Sequence, residues 1–255
     1  MATAIRATTT ANTAAIMSTD ATTKDRRLKW VIAAAALLIG GSLVLMAVPR
    51  IAAYGFVLSA GAVIQAVDDG RGVSQEQAEA AYRSYSQALA WRPRDPVLRH
   101  DRARLAGRLA VLEPRSAAQW RERAVRDFRR AVAAAPGDGT AWARLALAEL
   151  EAGADIKEVL PMLRLARLTA PRRASALLPQ FSIVMRHWEA MPEEMRTHAL
   201  ADLPSFWSRG ALRPLIVADY LNAGYAARAA FRARLGENAG ALNAFDRALA
   251  SSFRG

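Results

Sequence analysis

The sequence predicts an all-α protein in which a single N-terminal transmembrane helix precedes a solenoid of helical hairpins. Three observations lead to this prediction: a charge-free apolar run at 30–48, a recurring alanine–aromatic–alanine spacing, and prolines that follow the predicted helices. Roughly 200 residues remain after the apolar run, which is enough for one helical domain with its own core.

Residues 1–29 are predicted to form a disordered cytoplasmic tail. The first part, 1–23, is rich in alanine and threonine and shows no apolar periodicity. Such a segment buries too little surface to offset the entropy of ordering it. Met17 is an alternative to Met1 as the first residue.

The apolar run at 30–48 is predicted to be a transmembrane anchor. At about 1.5 Å per residue it spans close to the ~30 Å hydrocarbon core of a bilayer. A basic cluster at 24–29 precedes it, and the run is longer than the apolar core of a signal peptide, which indicates an uncleaved anchor. The positive-inside rule keeps the cluster in the cytoplasm and exports the following domain, to the periplasm in a Gram-negative-type cell.

A second apolar stretch at 51–67 follows Pro49 and Arg50 directly. It is interpreted as the buried first helix of a soluble domain over 51–255, because it is short and is interrupted by Gln65 and several small residues. If it crossed the membrane as well, the protein would be two-pass and its domain would be cytoplasmic.

A helical pattern recurs from residue 75 onward. Ser74 and Gln77 are typical of a capped helix start, and each copy then places alanine, an aromatic residue and alanine at i, i+4 and i+7 on one helix face. We expect these residues to pack one helix against the next. The matching residues are Ala81, Tyr85, Ala88 and Pro93, then Ala124, Phe128, Ala131 and Pro136, and finally Ala241, Phe245 and Ala248.

This spacing resembles the second helix of a tetratricopeptide repeat (TPR). The resemblance implies a first helix before each copy, and Trp142, Leu145 and Ala146 match that signature best. It also implies a TPR-like solenoid whose concave surface binds protein partners. The remaining repeat positions are Met162, Leu165 and Ala166, predicted to face inward on a helix at 157–168, and Tyr225 and Ala229, in first-helix positions of the last copy.

The segment 175–213 does not match the repeat and is interpreted as an irregular insert, either a cap or a partner-facing surface. A second helix is predicted to begin at Pro192, and a third to include Phe206 and Trp207. The predicted inward residues of the first helix are Leu177, Leu178, Phe181, Val184, Met185 and Trp188.

Catalysis is not expected from this chain, and no cofactor or metal is predicted. There is no cysteine, and the three histidines, His100, His187 and His198, lack the spacing of metal ligands. Adjacent carboxylates such as Glu193 and Glu194 point in different directions on a helix, so they make poor acid–base pairs.

The charge balance is basic. The formal net charge is +12, and six basic against two acidic residues in the first 50 leave +8 for the rest. Arg126, Arg129 and Arg130 form a candidate anion-binding face, for an anionic polysaccharide or lipid headgroup; a solvated helix face is the simpler interpretation. Nucleic acid is not expected as a partner. The aromatic residues are spaced for packing in the core and not for stacking on bases, and an exported domain would be separated from nucleic acid.

The sequence therefore predicts a scaffold or adaptor that binds protein partners at the periplasmic face of the inner membrane. By resemblance, the combination of anchor, divergent repeats and insert is similar to accessory proteins of cell-envelope polysaccharide assembly or secretion. Two alternatives stay open: a two-pass protein with a cytoplasmic scaffold domain, and a binder of anionic glycan or lipid.

Overall fold

The computed structural model describes residues 3–68 and 71–253, with side chains from Lys29 onward except those of Val31 and Asp68. This part of the chain is all-helical and contains no strand. It divides into two units, Met1–Ala52 and Ala53–Gly255. The α-helices are α1 (Thr3–Val57), α2 (Gly61–Asp68), α3 (Gln75–Trp91), α4 (Pro96–Leu112), α5 (Ala117–Ala134), α6 (Gly139–Glu151), α7 (Ile156–Thr169), α8 (Ala174–Arg186), α9 (Glu193–Ser208), α10 (Arg213–Asn222), α11 (Tyr225–Gly236) and α12 (Ala239–Ser252).

Helix α1 is longer at both ends than the predicted anchor at 30–48. It starts at Thr3, so residues 3–29, which the sequence predicted as a disordered tail over 1–29, are helical here; they include six alanines, and alanine is the strongest helix former. It also continues through Pro49. A proline inside a helix removes one backbone hydrogen bond, a loss that membrane helices tolerate.

The sequence predicted a single helix over 51–67, but the structure divides this stretch between two helices. Its first part completes α1, and α2 begins only after a turn at 58–60. Ala53 and Val57, at the end of α1, are buried in one apolar cluster with Ile64 of α2. The domain core therefore begins at Ala53, and the stretch contributes two short helical segments to it.

Five of the domain helices begin at side-chain caps. Ser74 accepts a hydrogen bond from the Gln77 backbone N–H (3.2 Å), and Gln77 Oε1 accepts one from the Ser74 N–H (3.0 Å). This reciprocal pair is the predicted capping box and satisfies two backbone donors that a helix start leaves open. Further carboxylate or amide caps are Asp95 on α4, Asp138 on α6, Asp155 on α7 and Asn238 on α12.

Neighbouring helices along the chain pack against each other from α3 to α9, and the largest apolar cluster lies in the second half of the domain. Six aromatic side chains from α8 to α12 meet there edge to face or tilted. Helices that bury apolar faces against one another can form such a core without a sheet. The six are Phe181, Phe206, Trp207, Tyr220, Phe231 and Phe245.

The segment 175–213 forms α8 and α9, which belong to this core. Pro192 directly precedes α9, which begins at Glu193, and Phe206 and Trp207 lie near the end of α9 and not on a third helix. The third helix is α10, which begins at Arg213. Five of the six residues predicted to point inward from α8 and the turn after it are buried, and Leu178 is half-buried.

Candidate membrane span and binding cavity

The apolar part of α1 is exposed over most of its length. One helix of the described chain is long and apolar enough to cross a membrane, over Ile32–Val57, and none of its apolar window is buried. Trp30 and Tyr54 are exposed near its two ends, where aromatic side chains favour the membrane–water interface. Since Ala53 and Val57 are buried in the domain core, the segment that lipid can surround ends before them, close to Arg50.

The repeat-pattern residues of the first two copies occupy the core. Ala81, Tyr85 and Ala88 are buried on α3, as predicted for helix packing. The second copy repeats this on α5, while Pro93 and Pro136 lie exposed in the turns after the two helices. The buried residues of α5 in this pattern are Ala124, Phe128 and Ala131.

The later copies follow the pattern less closely. Leu145 and Ala146 are buried, and Trp142 is half-buried with its indole N–H donating to the Pro136 carbonyl (2.8 Å). The helix predicted at 157–168 is α7, with Met162 half-buried and Ala166 buried, but Leu165 is exposed because Val159 and Leu163 form the inward stripe.

In the last copy of the pattern only the aromatic residue is buried, as predicted. Phe245 is fully buried, whereas Ala241 and Ala248 are half-buried. Tyr225 and Ala229 are exposed, which corrects their predicted first-helix packing: the inward stripe of α11 is instead Ala227, Phe231 and Leu235.

A polar network links α2, α3 and α4. Tyr85 donates a hydrogen bond from its hydroxyl to Asp101 (3.2 Å), and Arg104 joins Asp101 to the Ile64 carbonyl. Burial and the neighbouring Asp101 carboxylate raise the pKa of Tyr85. The sequence pattern identified Tyr85 as a packing residue but not its polar partner on α4.

The predicted arginine face lies on the outside of α5. Arg126, Arg129 and Arg130 are all exposed. Arg129 donates from Nε to the nearly buried carboxylate of Glu149 on α6 (2.7 Å). Arg126 and Arg130 are therefore the members that stay available to an external anion.

A cavity of about 220 Å³ opens between α7, α8 and α9. Leu163, Phe181 and Val184 at its walls are at most 3 % exposed, so these walls are part of the core, whereas Leu168 at its edge is 77 % exposed. The apolar lining is Leu163, Leu168, Leu177, Phe181, Val184, Met195 and Ala199. The cavity was not predicted from the sequence, although Leu165 and Leu168 are apolar residues outside the inward stripe of α7.

Charged side chains frame the cavity. Arg167 of α7 pairs with Asp202 of α9, and Gln180 of α8 donates its amide to the Ala176 carbonyl (3.0 Å). Arg164 and Glu194 lie at the edge on α7 and α9, and in the described part of the chain neither has an ion-pair or hydrogen-bond partner. The site can therefore accept an apolar group with a charged neighbour.

The histidines are separated in the structure. His198 lines the cavity, His187 follows α8, and His100 packs edge-on against Phe128. Within residues 3–68 and 71–253 no three His, Asp or Glu side chains are placed to hold a metal ion.

Fold and site together define a helical protein in which one helix of the described residues is able to cross a membrane by its length and composition. No protein-family model matches the sequence, and a search of curated proteins finds no significant match.

Proposed function

We propose that this chain is a membrane-anchored, TPR-like adaptor that binds protein partners at the periplasmic face of the inner membrane. The cellular process that we propose for it, by resemblance, is cell-envelope polysaccharide assembly or secretion. The observation that carries the proposal is the pairing of an exposed apolar span in α1 with a helical domain that buries the repeat-pattern residues of α3 and α5.

The single-pass arrangement is supported by the shape of the region after the span. Helix α2 has 8 residues, which at about 1.5 Å per residue is far too short for a ~30 Å hydrocarbon core. Its Ile64 is buried against α1 and α3 residues of the domain. A second crossing within 51–67 would have to remove these residues from the core.

Topology is tested with two reporters fused after residue 255. Alkaline phosphatase is active only after export, and green fluorescent protein exported in unfolded form fluoresces only when left in the cytoplasm. We expect phosphatase activity without fluorescence. Fluorescence without phosphatase activity would support the two-pass or inverted arrangement and contradict the periplasmic assignment.

Adaptor function is tested by isolating the detergent-solubilised full chain after crosslinking in the native cell. We expect membrane or envelope proteins that remain bound after washing at high salt. A sample that contains only the chain itself would contradict the adaptor proposal.

Binding of an anionic glycan or lipid is the second candidate function, and the exposed Arg126 and Arg130 favour it. The double variant Arg126→Glu/Arg130→Glu tests it without breaking the Arg129–Glu149 pair. If this variant binds an acidic polysaccharide as well as the wild type does, the arginine face has no such role.

A further inference from the structure

We propose that the cavity between α7, α8 and α9 receives one apolar side chain of a partner protein, and that a carboxylate near that side chain pairs with Arg164. The inference rests on the adaptor function proposed above and specifies the partner's chemistry. The recognition element is thus a short segment with an aromatic or branched aliphatic residue and a neighbouring Asp or Glu.

The size of the cavity fits such a side chain. Its volume is about 220 Å³, and an apolar protein cavity of about 150 Å³ already holds a benzene molecule. The walls at Phe181 and Val184 are 1 % and 3 % exposed and belong to the main core. The cavity is therefore formed before a ligand arrives, and binding does not require the core to reorganise.

The surface beside the cavity favours a protein over a small molecule. Leu168 lines the cavity and is 77 % exposed, and Leu165, about one turn earlier on α7, is 38 % exposed. A small molecule inside the cavity would leave Leu168 largely in water, whereas a protein surface covers it together with the anchor. Burying one such side chain contributes about 1.5–3 kcal/mol, and anchors surrounded by apolar contacts are typical of binding hot spots.

The charges at the opening determine which partner residue can lie beside the bound apolar side chain. Arg167 is neutralised by Asp202, so Arg164 is the cation on the α7 side that can attract an acidic group. Glu194 lies on the α9 side and disfavours a second carboxylate there. A partner with an acidic residue on the α7 side of its anchor therefore matches the opening, and a basic residue in that place is repelled.

Three substitutions remove different parts of this site. Ala199→Phe fills the cavity from α9, Leu168→Asp removes the apolar edge, and Arg164→Glu reverses the charge. Leu168 and Arg164 are exposed, so their substitutions keep the test valid if Ala199→Phe fails to fold. The matched controls are Val111→Asp on α4, where Val111 is 68 % exposed, and Arg172→Glu, both outside the cavity.

The probe is a random dodecapeptide library displayed on phage and selected against the full chain in lipid nanodiscs. We expect enriched peptides to share a Phe, Trp, Leu or Ile with an Asp or Glu within four positions. A synthetic peptide of that sequence should bind each of the three variants about tenfold more weakly, as loss of a hot-spot contact does. Binding to the two control variants should be unchanged.

Several results would overturn the inference. They are the absence of any enriched peptide, enriched peptides without a common apolar anchor, or undiminished binding to Leu168→Asp and Arg164→Glu. A native partner that stays bound to all three variants would reject the cavity and leave the adaptor function standing. Cytoplasmic reporter activity would reject the periplasmic assignment without affecting the peptide result.

Discussion

Arg102 of α4 holds the buried carboxylate of Asp127 of α5 with two hydrogen bonds, from Nε to Oδ2 and from Nη2 to Oδ1, each 2.7 Å long. Arg99, about one turn earlier, adds a contact of 3.3 Å to Oδ1. Asp127 is 3 % exposed, so these two guanidinium groups, and not water, satisfy its carboxylate oxygens. Removing one partner of such a buried pair costs more than the pair contributes, because a charge is left without a partner.

The first prediction concerns this contact between α4 and α5. Asp127→Ala should lower the free energy of unfolding by about 3 kcal/mol, measured on the detergent-solubilised chain by chemical denaturation followed by circular dichroism. The control is Asp246→Ala, because the Arg232–Asp246 pair is 41 % and 45 % exposed and should contribute less than about 1 kcal/mol. Equal effects of the two substitutions would contradict the stabilising role of Asp127.

A second prediction separates packing from hydrogen bonding at Tyr85. Tyr85→Phe removes the hydrogen bond to Asp101 (3.2 Å) and should cost about 1 kcal/mol. Tyr85→Ala also opens a cavity between α3 and α4 and should cost about 3–5 kcal/mol. If both substitutions had the same effect in the same denaturation experiment, the aromatic ring would not be the main contribution of Tyr85.

The third prediction is a pH dependence at Asp219 of α10. Burial raises the pKa of this carboxyl group to about 6, although Ser182 donates a hydrogen bond of 2.5 Å to it. The unfolded chain has a pKa of about 3.9 for aspartate, so the folded state binds the proton more tightly. The stabilisation by the protonated form is therefore complete below pH ~4 and is lost as the pH rises through ~6.

Asp219→Asn should consequently unfold with a free energy about 2 kcal/mol higher than the wild type at pH 7.5, and with nearly the same value at pH 4. Ser182→Ala should lower the free energy of unfolding at pH 7.5, because it removes a hydroxyl group that donates a hydrogen bond to the carboxylate. Parallel stability curves for wild type and Asp219→Asn across this range would show that Asp219 does not titrate as described.

Features set by neighbouring residues were predictable from the sequence. The capping box at Ser74 and Gln77 and the helix α7 depend on side chains within one or two turns, so their pattern is visible without the fold. The buried faces of α3 and α5 were predictable because helical spacing alone places their alanines and aromatics together.

Features that depend on distant helices were not predictable. Tyr225 is 90 % exposed because the packing of α11 selects the stripe through Phe231, a choice that the local sequence leaves open. The continuation of α1 through Pro49 was not predictable, because proline usually ends or kinks a helix. The cavity is lined by residues of three helices, and the local sequence around Leu168 does not show how those helices pack.

The last prediction concerns two glycines with opposite surroundings, one in close contact with a neighbouring helix and one in open space. A Cβ on Gly139, the first residue of α6, would lie 2.6 Å from both the Ala166 carbonyl oxygen and the Ala170 Cβ, so the end of α7 would have to shift. Gly139→Ala should therefore destabilise the protein by about 1–3 kcal/mol. Gly107 lies inside α4 with open space around it, and Gly107→Ala should stabilise by about 0.5–1 kcal/mol through helix propensity. Thermal unfolding should move the two midpoints in opposite directions, and a raised midpoint for Gly139→Ala would mean that α6 and α7 are not in close contact there.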